Sequence, residues 1–209
     1  SKLIYHSPTF GDEVRTFCMN PNGEVVQENY SGIATVNGHS YANYKTPNTN
    51  FALLVSEKFT EPFKEPIQYG QHIARLANML AGGILVQRFG DLLDGRRSTP
   101  ERIKSSIITP TLSCATPGDL SLVIPYRQMT SIIEMLKALD KIAPGTASRY
   151  TLLYGIEVKF YSARVKLTNE LETEGVKNLF TIGDGAGVTR GLLQASASGV
   201  YVARTICER

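Results

Sequence analysis

Hydrophobic and polar positions alternate along the first third of the chain, a pattern typical of strands with one buried face. Two segments between these runs are rich in turn-forming residues: Asn20-Pro21-Asn22-Gly23, and Asn37-Gly38, which favours a two-residue hairpin turn. The first of these turns is expected to return the chain from one strand to the next. The strands predicted here are residues 13–19, 24–30, 33–36 and 51–56.

Apolar residues recur at helical spacing in the middle of the chain, over residues 67–81 and 129–142. Residues 94–101 predict a loop that enters a short helix, with Ser98 or Thr99 as its N-cap and Pro100 at its first position. Residues 150–161 predict a long strand. Because strands cluster early and late around helices without regular alternation, the sequence favours an α+β fold with mixed, largely antiparallel strands and packed helices.

The last part of the chain predicts a strand, a glycine-rich turn and a helix in succession. The apolar run 179–182 suits a buried strand, and an amphipathic segment follows the turn. Small residues at every fourth position leave a narrow stripe, so that the helix can lie close to a sheet or a cofactor. The small residues are Gly187, Gly191, Ala195, Gly199 and Ala203, and Leu192, Ala195, Val202 and Ile206 are expected to extend the buried side.

The turn itself, Gly183-Asp184-Gly185-Ala186-Gly187, has two interpretations. Its three glycines permit positive φ and leave no Cβ between the chain and a ligand. Asp184 could accept a hydrogen bond from a ribose or ribityl hydroxyl, and α/β proteins bring backbone to a dinucleotide with such a turn. Alternatively, this is only a tight turn that Asp184 stabilises as an Asx residue. The residues alone leave both interpretations open.

Composition narrows the function classes. The 22 basic and 19 acidic side chains give a net charge of +3, too small to indicate nucleic acid or membrane as a partner. The three cysteines, Cys18, Cys114 and Cys207, are sparse and odd in number, which argues against a disulfide framework and favours a cytoplasmic location. Since the cysteines and histidines lack ligand spacing, no metal site is expected.

Several motifs together resemble a known flavoprotein family. The run Leu179 to Gly187, followed by Gly191, Gln194-Ala195-Ser196 and Ser198-Gly199, resembles the C-terminal FAD-contact motif of two-dinucleotide-fold flavoproteins. The whole chain is similar to the C-terminal part of the poorly characterised FAD-dependent dehydrogenase (NAD/FAD-utilising) family. The further stretches that carry this similarity are residues 10–19, 36–41, 87–92, 117–120 and 155–162.

The resemblance implies FAD as the cofactor, with NAD(P) as an electron donor or acceptor. Asp184 would contact the ribityl chain or its phosphate, and the backbone that opens the helix would face the flavin pyrimidine edge and the pyrophosphate. The implied FAD-binding residues are Gly183, Asp184, Gly185, Ala186, Gly187, Val188, Thr189 and Arg190. The substrate and the catalytic residues stay unassigned, and the candidates for a substrate pocket are Tyr126, Arg127, Glu157, Lys159 and Tyr161.

The flavin-nucleotide fingerprint Gly-x-Gly-x-x-Gly is absent from the sequence, so the N-terminal FAD-binding half is expected in another part of a longer protein. We therefore expect two pieces: residues 1–176, an inserted, substrate-facing α+β domain, and residues 177–209, a strand and helix that return to the Rossmann-type sheet of the FAD-binding domain. The complete protein would be an FAD-dependent oxidoreductase, and this portion alone is expected to be inactive.

Other interpretations stay open. The chain could be a non-catalytic domain that binds a phosphate-bearing ligand or a protein, or part of an RNA-modifying flavoprotein, against which the small net charge speaks. Arg88, Arg96 and Arg97 form either a solvated loop or a site for an anionic substrate or nicotinamide-nucleotide phosphate. Related sequences often carry a second cysteine where this chain has Asn20, so a dithiol role is not expected, and Cys18 is predicted to be a buried strand residue.

Overall fold

The computed structural model describes residues 2–159, 165–189 and 191–209. The chain divides into two compact units, residues 1–158 and 159–209. Helices and largely antiparallel strands are combined as the sequence predicts, and the α+β fold class is confirmed. The boundary predicted near residue 176 falls inside the second unit. Because it concerns the longer protein, it stays a prediction.

The strands of the first unit form small sheets. They are β1 (Ile4–His6), β2 (Glu13–Asn20), β3 (Glu24–Tyr30), β4 (Ile33–His39), β5 (Asn50–Val55), β6 (Leu85–Arg88), β7 (Thr116–Pro117) and β8 (Leu152–Gly155). In the described residues their orders are β1-β2-β5, β3-β4 and β7-β6-β8. Only β6 and β7 pair in parallel among these strands. Of the strand predicted at 150–161, the described residues form β8 only over Leu152–Gly155, which pairs with the four residues of β6, and residues 160 and 161 lie outside the described residues.

The helices are α1 (Pro66–Ala81), α2 (Phe89–Leu93), α3 (Pro100–Lys104) and α4 (Tyr126–Leu139) in the first unit, and α5 (Leu192–Glu208) in the second. Pro66 sits in the first turn of α1, where its missing N–H would be unpaired in any case. Of the two predicted caps, Thr99 is the N-cap of α3, and its hydroxyl accepts the Arg102 N–H at 3.4 Å. Local signals therefore place these helix starts correctly.

Helix α4 joins the two apolar clusters of the first unit. Its Leu136 belongs to the cluster around Phe89 of α2 and Leu85 of β6. Its Met135 and Leu139 pack against Val14 of β2 in the other cluster. One amphipathic helix thus supplies both cores, which follows from apolar residues that recur at helical spacing on a broad face.

The hairpin prediction at Asn37-Gly38 is wrong. These two residues lie inside β4 and pair with Val26 and Val25 of β3. The hairpin turn is Ser31-Gly32, where φ is 52° and 78°, as a two-residue turn of type I′ requires. Gly38 instead marks a close approach, because a Cβ there would lie 2.0 Å from Asn50 Oδ1. The predicted return of β3 onto β2 is also wrong, since β2 pairs with β1 and β5.

The prediction that Cys18 is buried is wrong. The alternation holds as far as Val14 and Thr16, which are buried. The register of β2 against β5 then shifts between Phe17 and Asn20, and Cys18 takes a φ of 46°. A bulge of this kind turns the following side chains out of the alternation, so Cys18 is exposed.

Candidate functional site

The turn that carries the flavoprotein resemblance lies in the second unit; we call its described residues, 183–189 and 191, the glycine turn. It forms a 3-10 turn over Asp184–Ala186, with Ala186 buried. Gly183 and Gly187 have φ values of 72° and 68°, a region that favours glycine. Because the left-handed Gly187 interrupts a helical path, α5 begins only at Leu192. Of the backbone expected to open this helix, Gly185 to Thr189 lie ahead of α5 instead of in its first turn.

Asp184 ties the two ends of the glycine turn together. Its Oδ1 accepts the Thr189 hydroxyl at 2.6 Å and the Gly191 N–H at 3.3 Å. This is the turn-stabilising role that the sequence left open as an alternative. A carboxylate can accept about four hydrogen bonds, so this role and contact with a ligand hydroxyl are compatible. Of the implied FAD-binding residues, Arg190 lies outside the described residues.

The small residues of α5 pack against the chain's own turn. The Gly183 N–H donates to Ser198 Oγ at 3.0 Å, and this buried hydroxyl donates to the Ala195 carbonyl at 2.7 Å. A Cβ on Gly183 would lie 3.7 Å from Ala195 Cβ, and one on Gly199 would lie 3.6 Å from Ile182 Cδ1. The stripe therefore allows residues 182 and 183 to approach the helix closely.

The prediction that residues 179–182 form a buried strand is wrong for this chain. Phe180 makes an isolated bridge with Glu172, while Leu179 and Ile182 are exposed. A strand needs a neighbouring strand to pair with its backbone N–H and C=O groups. Among the described residues of the second unit, the bridge between Glu172 and Phe180 is the only β-pairing that this run makes. The hydrogen-bonded strand expected before the glycine turn is therefore replaced by an extended segment that lies beside α5.

The buried side of α5 is narrower than predicted. Val202 is buried, as expected, and Ser198 is buried beside it. Leu192 and Ile206 were expected to be buried but are exposed, and Leu192 and Leu193 are 90% and 84% exposed. Because the turn covers only the small-residue stripe, the larger apolar side chains at the start of the helix point away from it.

Gly185 presents bare backbone to open space. A Cβ built on this residue meets no atom within 4 Å, and its φ lies outside the left-handed region. Alanine would therefore fit here without strain. Three positions further along the chain, Val188 borders an open cleft of about 510 Å³, whose other lining residues lie between 165 and 174.

An ion-pair cluster that the sequence analysis missed holds the end of α5. Arg209 Nη2 donates to Glu170 and Glu172 at 2.5 and 2.6 Å, and its guanidinium lies 4.9 Å from the centre of the Phe180 ring. The hydrogen bond from Arg209 is the main reason why the pKa of Glu172 is lowered. Alternating acidic residues before the final apolar run are the signal that could have indicated this cluster.

The candidate pocket residues of the first unit have structural contacts. Arg127 binds Asp12 with two nitrogens, Nε to Oδ2 at 2.9 Å and Nη2 to Oδ1 at 2.5 Å, and Ser131 donates to the same carboxylate at 3.2 Å. The hydrogen bond from Arg127 lowers the pKa of Asp12 and outweighs the effect of burial. Tyr126 is 78% exposed and sets its ring edge-on to Phe10.

Among the remaining pocket candidates, Glu157 is half-buried and Lys159 is exposed, and Lys159 falls in the second unit. Tyr161 lies outside the described residues. Arg127 therefore holds the N-terminal segment on α4 through its contacts with Asp12. Nothing in the sequence around Arg127 predicted this role.

Protein carboxylates already engage part of the arginine cluster. Arg96 contacts Asp91 at 3.0 Å and Asp94 at 3.1 Å, and Arg88 stacks over the Tyr150 ring at 5.2 Å. Burial raises the pKa of Asp91, but hydrogen bonds from Ser98 and Arg96 and nearby arginine charges outweigh it, so the pKa is lowered. These contacts favour the interpretation of the cluster as part of a loop and disfavour the interpretation as a binding site for an anion.

The fully buried Gln87 completes this loop. Its Oε1 accepts the Leu120 N–H at 2.8 Å, and its Nε2 donates to the Arg96 carbonyl at 2.9 Å. Gln87 and Asp91 thus hold the loop after α2 against the end of β6. Residues 87–92 carry part of the family resemblance, but this role of Gln87 depends on long-range contacts and has no local sequence signal.

The described residues contain neither a cluster of metal ligands nor a helix that could span a membrane. In residues 2–159, 165–189 and 191–209, no three His, Cys, Asp or Glu side chains are grouped closely enough to hold a metal ion. No helix in that part of the chain is both long and apolar enough to cross a bilayer.

Comparison with known proteins places the first unit in a family. The profile of the family described as "FAD-dependent protein, C-terminal domain-like" matches residues 2–160, close to the limit of the first unit at residue 158. A relative from Clostridium beijerinckii, described as an uncharacterized protein, is 31% identical over 220 residues. That similarity covers 100% of this chain and 40% of the relative, so the chain spans less than half of that relative's length.

Proposed function

Since the chain belongs to the family of FAD-dependent proteins, C-terminal domain-like, we propose that it is the C-terminal portion of an FAD-dependent oxidoreductase whose glycine turn contacts the flavin. When bound, the flavin supplies the redox chemistry, and the protein positions it and tunes its potential. The residues that would hold it are Gly183 to Thr189 of the glycine turn, together with Arg190, as the resemblance implies. The substrate-side surface would come from the first unit.

The observation that carries this proposal is the open backbone at Gly185 in a turn fixed from two sides. Ser198 holds Gly183 from one side, and Asp184 binds Gly191 on the other. A flat ring or a phosphate can approach such a backbone without meeting a Cβ. Rigid, preorganised backbone is what a cofactor site requires, because little ordering remains to be done on binding.

The exposed apolar residues of the second unit support placement within a longer protein. Leu179, Ile182, Leu192 and Leu193 lie on both sides of the glycine turn and are exposed. Most of the length of the Clostridium relative lies outside the matched region. We propose that the corresponding part of the full-length protein covers these side chains and contributes the remaining FAD contacts.

The test uses the full-length protein and the substitution Gly185→Ala. The wild-type protein is expected to purify with flavin that is released on denaturation, and Gly185→Ala is expected to lower its FAD content at least several-fold. The new methyl group meets only open space in the fold, so the unfolding temperature of the apo-protein should not change. The matched control is Gly199→Ala in α5, whose new methyl group would make an ordinary van der Waals contact with the Ile182 side chain.

Two outcomes would contradict the proposal: a full-length protein that contains no flavin, or a Gly185→Ala variant that retains FAD like the wild type. Oxidoreductase activity has its own test, reduction of the bound flavin by NADH or NADPH under anaerobic conditions. A flavin that neither nicotinamide reduces would remove NAD(P) from the proposal and leave FAD in place.

A non-catalytic binding domain is the second candidate. The observation in its favour is that Asp184 already accepts two hydrogen bonds from its own turn. If the turn is only structural, Gly185→Ala will leave all properties unchanged, whereas Asp184→Ala will lower the unfolding temperature without any change in flavin content. The same pair of variants therefore separates the two candidates.

A further inference from the structure

We infer that Thr189 is a positioning residue of the proposed flavin site: its hydroxyl fixes the Asp184 carboxylate in the orientation that receives a sugar hydroxyl of the cofactor. The inference rests on the proposed function. It assigns a role to the Thr189 side chain, whereas the resemblance concerned only the backbone at this position.

The contact geometry supports this role. Thr189 Oγ1 lies 2.6 Å from Asp184 Oδ1, a short distance typical of a hydroxyl that donates to an ionised carboxylate. The same Oδ1 accepts the Gly191 N–H at the longer distance of 3.3 Å. Of these two contacts, the one with the Thr189 hydroxyl is therefore the stronger, and it restricts the rotation of the carboxylate.

The position of Thr189 makes this contact specific. It follows the left-handed Gly187 and lies five positions after Asp184 in the sequence. Threonine is branched at Cβ and therefore restricted at χ1, so its hydroxyl is held with a smaller loss of entropy than a longer side chain would have.

Removal of the hydroxyl would remove the shorter of the two contacts that Asp184 makes with described residues of its turn. The carboxylate would then rotate more freely in the free protein, and cofactor binding would have to order it. Affinity for FAD would fall through lost preorganisation, although the atoms that touch the cofactor are unchanged. A purely structural threonine would instead alter stability and leave the properties of the bound flavin as they are.

The experiment uses the full-length protein with Thr189→Ser, Thr189→Val, Asp184→Asn and the double variant Thr189→Val/Asp184→Asn. We expect Thr189→Ser to bind FAD within about twofold of the wild type, because it keeps the hydroxyl. Thr189→Val keeps the shape and removes the donor, so its FAD dissociation constant should rise about tenfold, or about 1.4 kcal/mol. The visible absorption bands of the bound flavin should shift in Thr189→Val and return in Thr189→Ser.

The double variant isolates the coupling between the two side chains. If Thr189 acts through Asp184, the double variant will bind FAD about as weakly as Asp184→Asn alone. Additive losses, or a Thr189→Val protein with the affinity and spectrum of the serine variant, would overturn the inference. The unfolding temperature of each apo-protein shows whether a variant has lost its fold, and Thr189→Ala, which also lacks the hydroxyl, replaces Thr189→Val if that variant does not fold.

Failure of the proposed function gives a different result. A wild-type protein without FAD refutes both the flavin site and the role of Thr189. A wild-type protein that binds FAD, and loses it through Gly185→Ala but not through Thr189→Val, refutes only the role of Thr189.

Discussion

Hydrogen-bonded carboxylates fix the N-terminal segment of this protein on α4. The Asp12 carboxylate accepts hydrogen bonds from Arg127 and Ser131. The Glu134 carboxylate accepts hydrogen bonds from the hydroxyl of Ser7, at 2.5 Å, and from the hydroxyl of Thr9. The pKa of Asp12 and that of Glu134 are lowered by these donors, Arg127 for the first and Ser7 for the second. Each carboxylate therefore stabilises the fold in its ionised form.

The direction of the pKa shifts sets the pH dependence. A carboxylate whose pKa is lowered in the folded protein contributes stability that is present above the unfolded-state pKa, about 3.9 for Asp, and lost as the pH falls through and below it. We expect Asp12→Asn to lower the free energy of unfolding of the 209-residue chain by about 1 kcal/mol at pH 7, a modest value because solvent screens the exposed side of the guanidinium.

The measurement is urea unfolding at pH 7 and at pH 3. The difference between Asp12→Asn and the wild type should shrink at the lower pH, because the wild-type carboxylate is then partly protonated. Glu174→Gln, at an exposed position, is the control and should leave the profile unchanged. A difference that stays constant with pH would show that Asp12 contributes through packing alone.

The space around a glycine's Cα decides whether alanine can replace that glycine. In the turn between β2 and β3, a Cβ on Gly23 would lie 2.3 Å from the His39 carbonyl oxygen, and backbone would have to move. A Cβ on Gly83, after α1, would meet only Gln27 Oε1 at 3.4 Å. Both glycines are buried and neither has a left-handed φ.

We therefore expect Gly23→Ala to destabilise the first unit by about 2 kcal/mol, the usual range for an overpacked site, and Gly83→Ala to change stability far less. Thermal unfolding followed by circular dichroism checks the pair. Equal effects of the two substitutions would show that the lost backbone freedom of glycine, and not crowding, determines stability at these positions.

In the second unit, α5 should respond to substitution according to burial. Val202 is 6% exposed, and Val202→Ala should lower the hydrogen-exchange protection of the α5 amides at a cost of about 1–2 kcal/mol. Leu193→Ala removes a side chain that is already exposed and should leave protection in the 209-residue chain unchanged. Reversal of this order would mean that α5 buries its other face in solution.

Local sequence signals predicted the helices and several strands but not the pairing between strands. The cap at Thr99 and the strand at 24–30 are determined by neighbours in sequence, and both are confirmed. Asn37-Gly38 has the composition of a turn, yet the partner strand and the approach of Asn50 place it inside β4. For the site, the glycine turn could be located from its motif, whereas the contacts of Thr189 and Ser198 depend on folding and left no signal.

At the scale of the whole molecule, the family match and the first unit end at nearly the same residue, 160 and 158. The first unit has its own buried clusters, so we expect a protein of residues 2–158 to fold without the rest. Its urea midpoint should equal that of a protein of residues 2–176, which ends at the predicted domain boundary. A folded 2–176 and an unfolded 2–158 would favour the later boundary.

The β3–β4 hairpin has a practical use. Tyr30 is exposed beside its tip, and a Cβ on Gly32 would meet no atom within 4 Å. A short epitope can therefore be inserted at this tip with little disturbance of the cores. A reporter at this tip would follow the first unit during assembly with the rest of the protein, independently of any flavin absorbance.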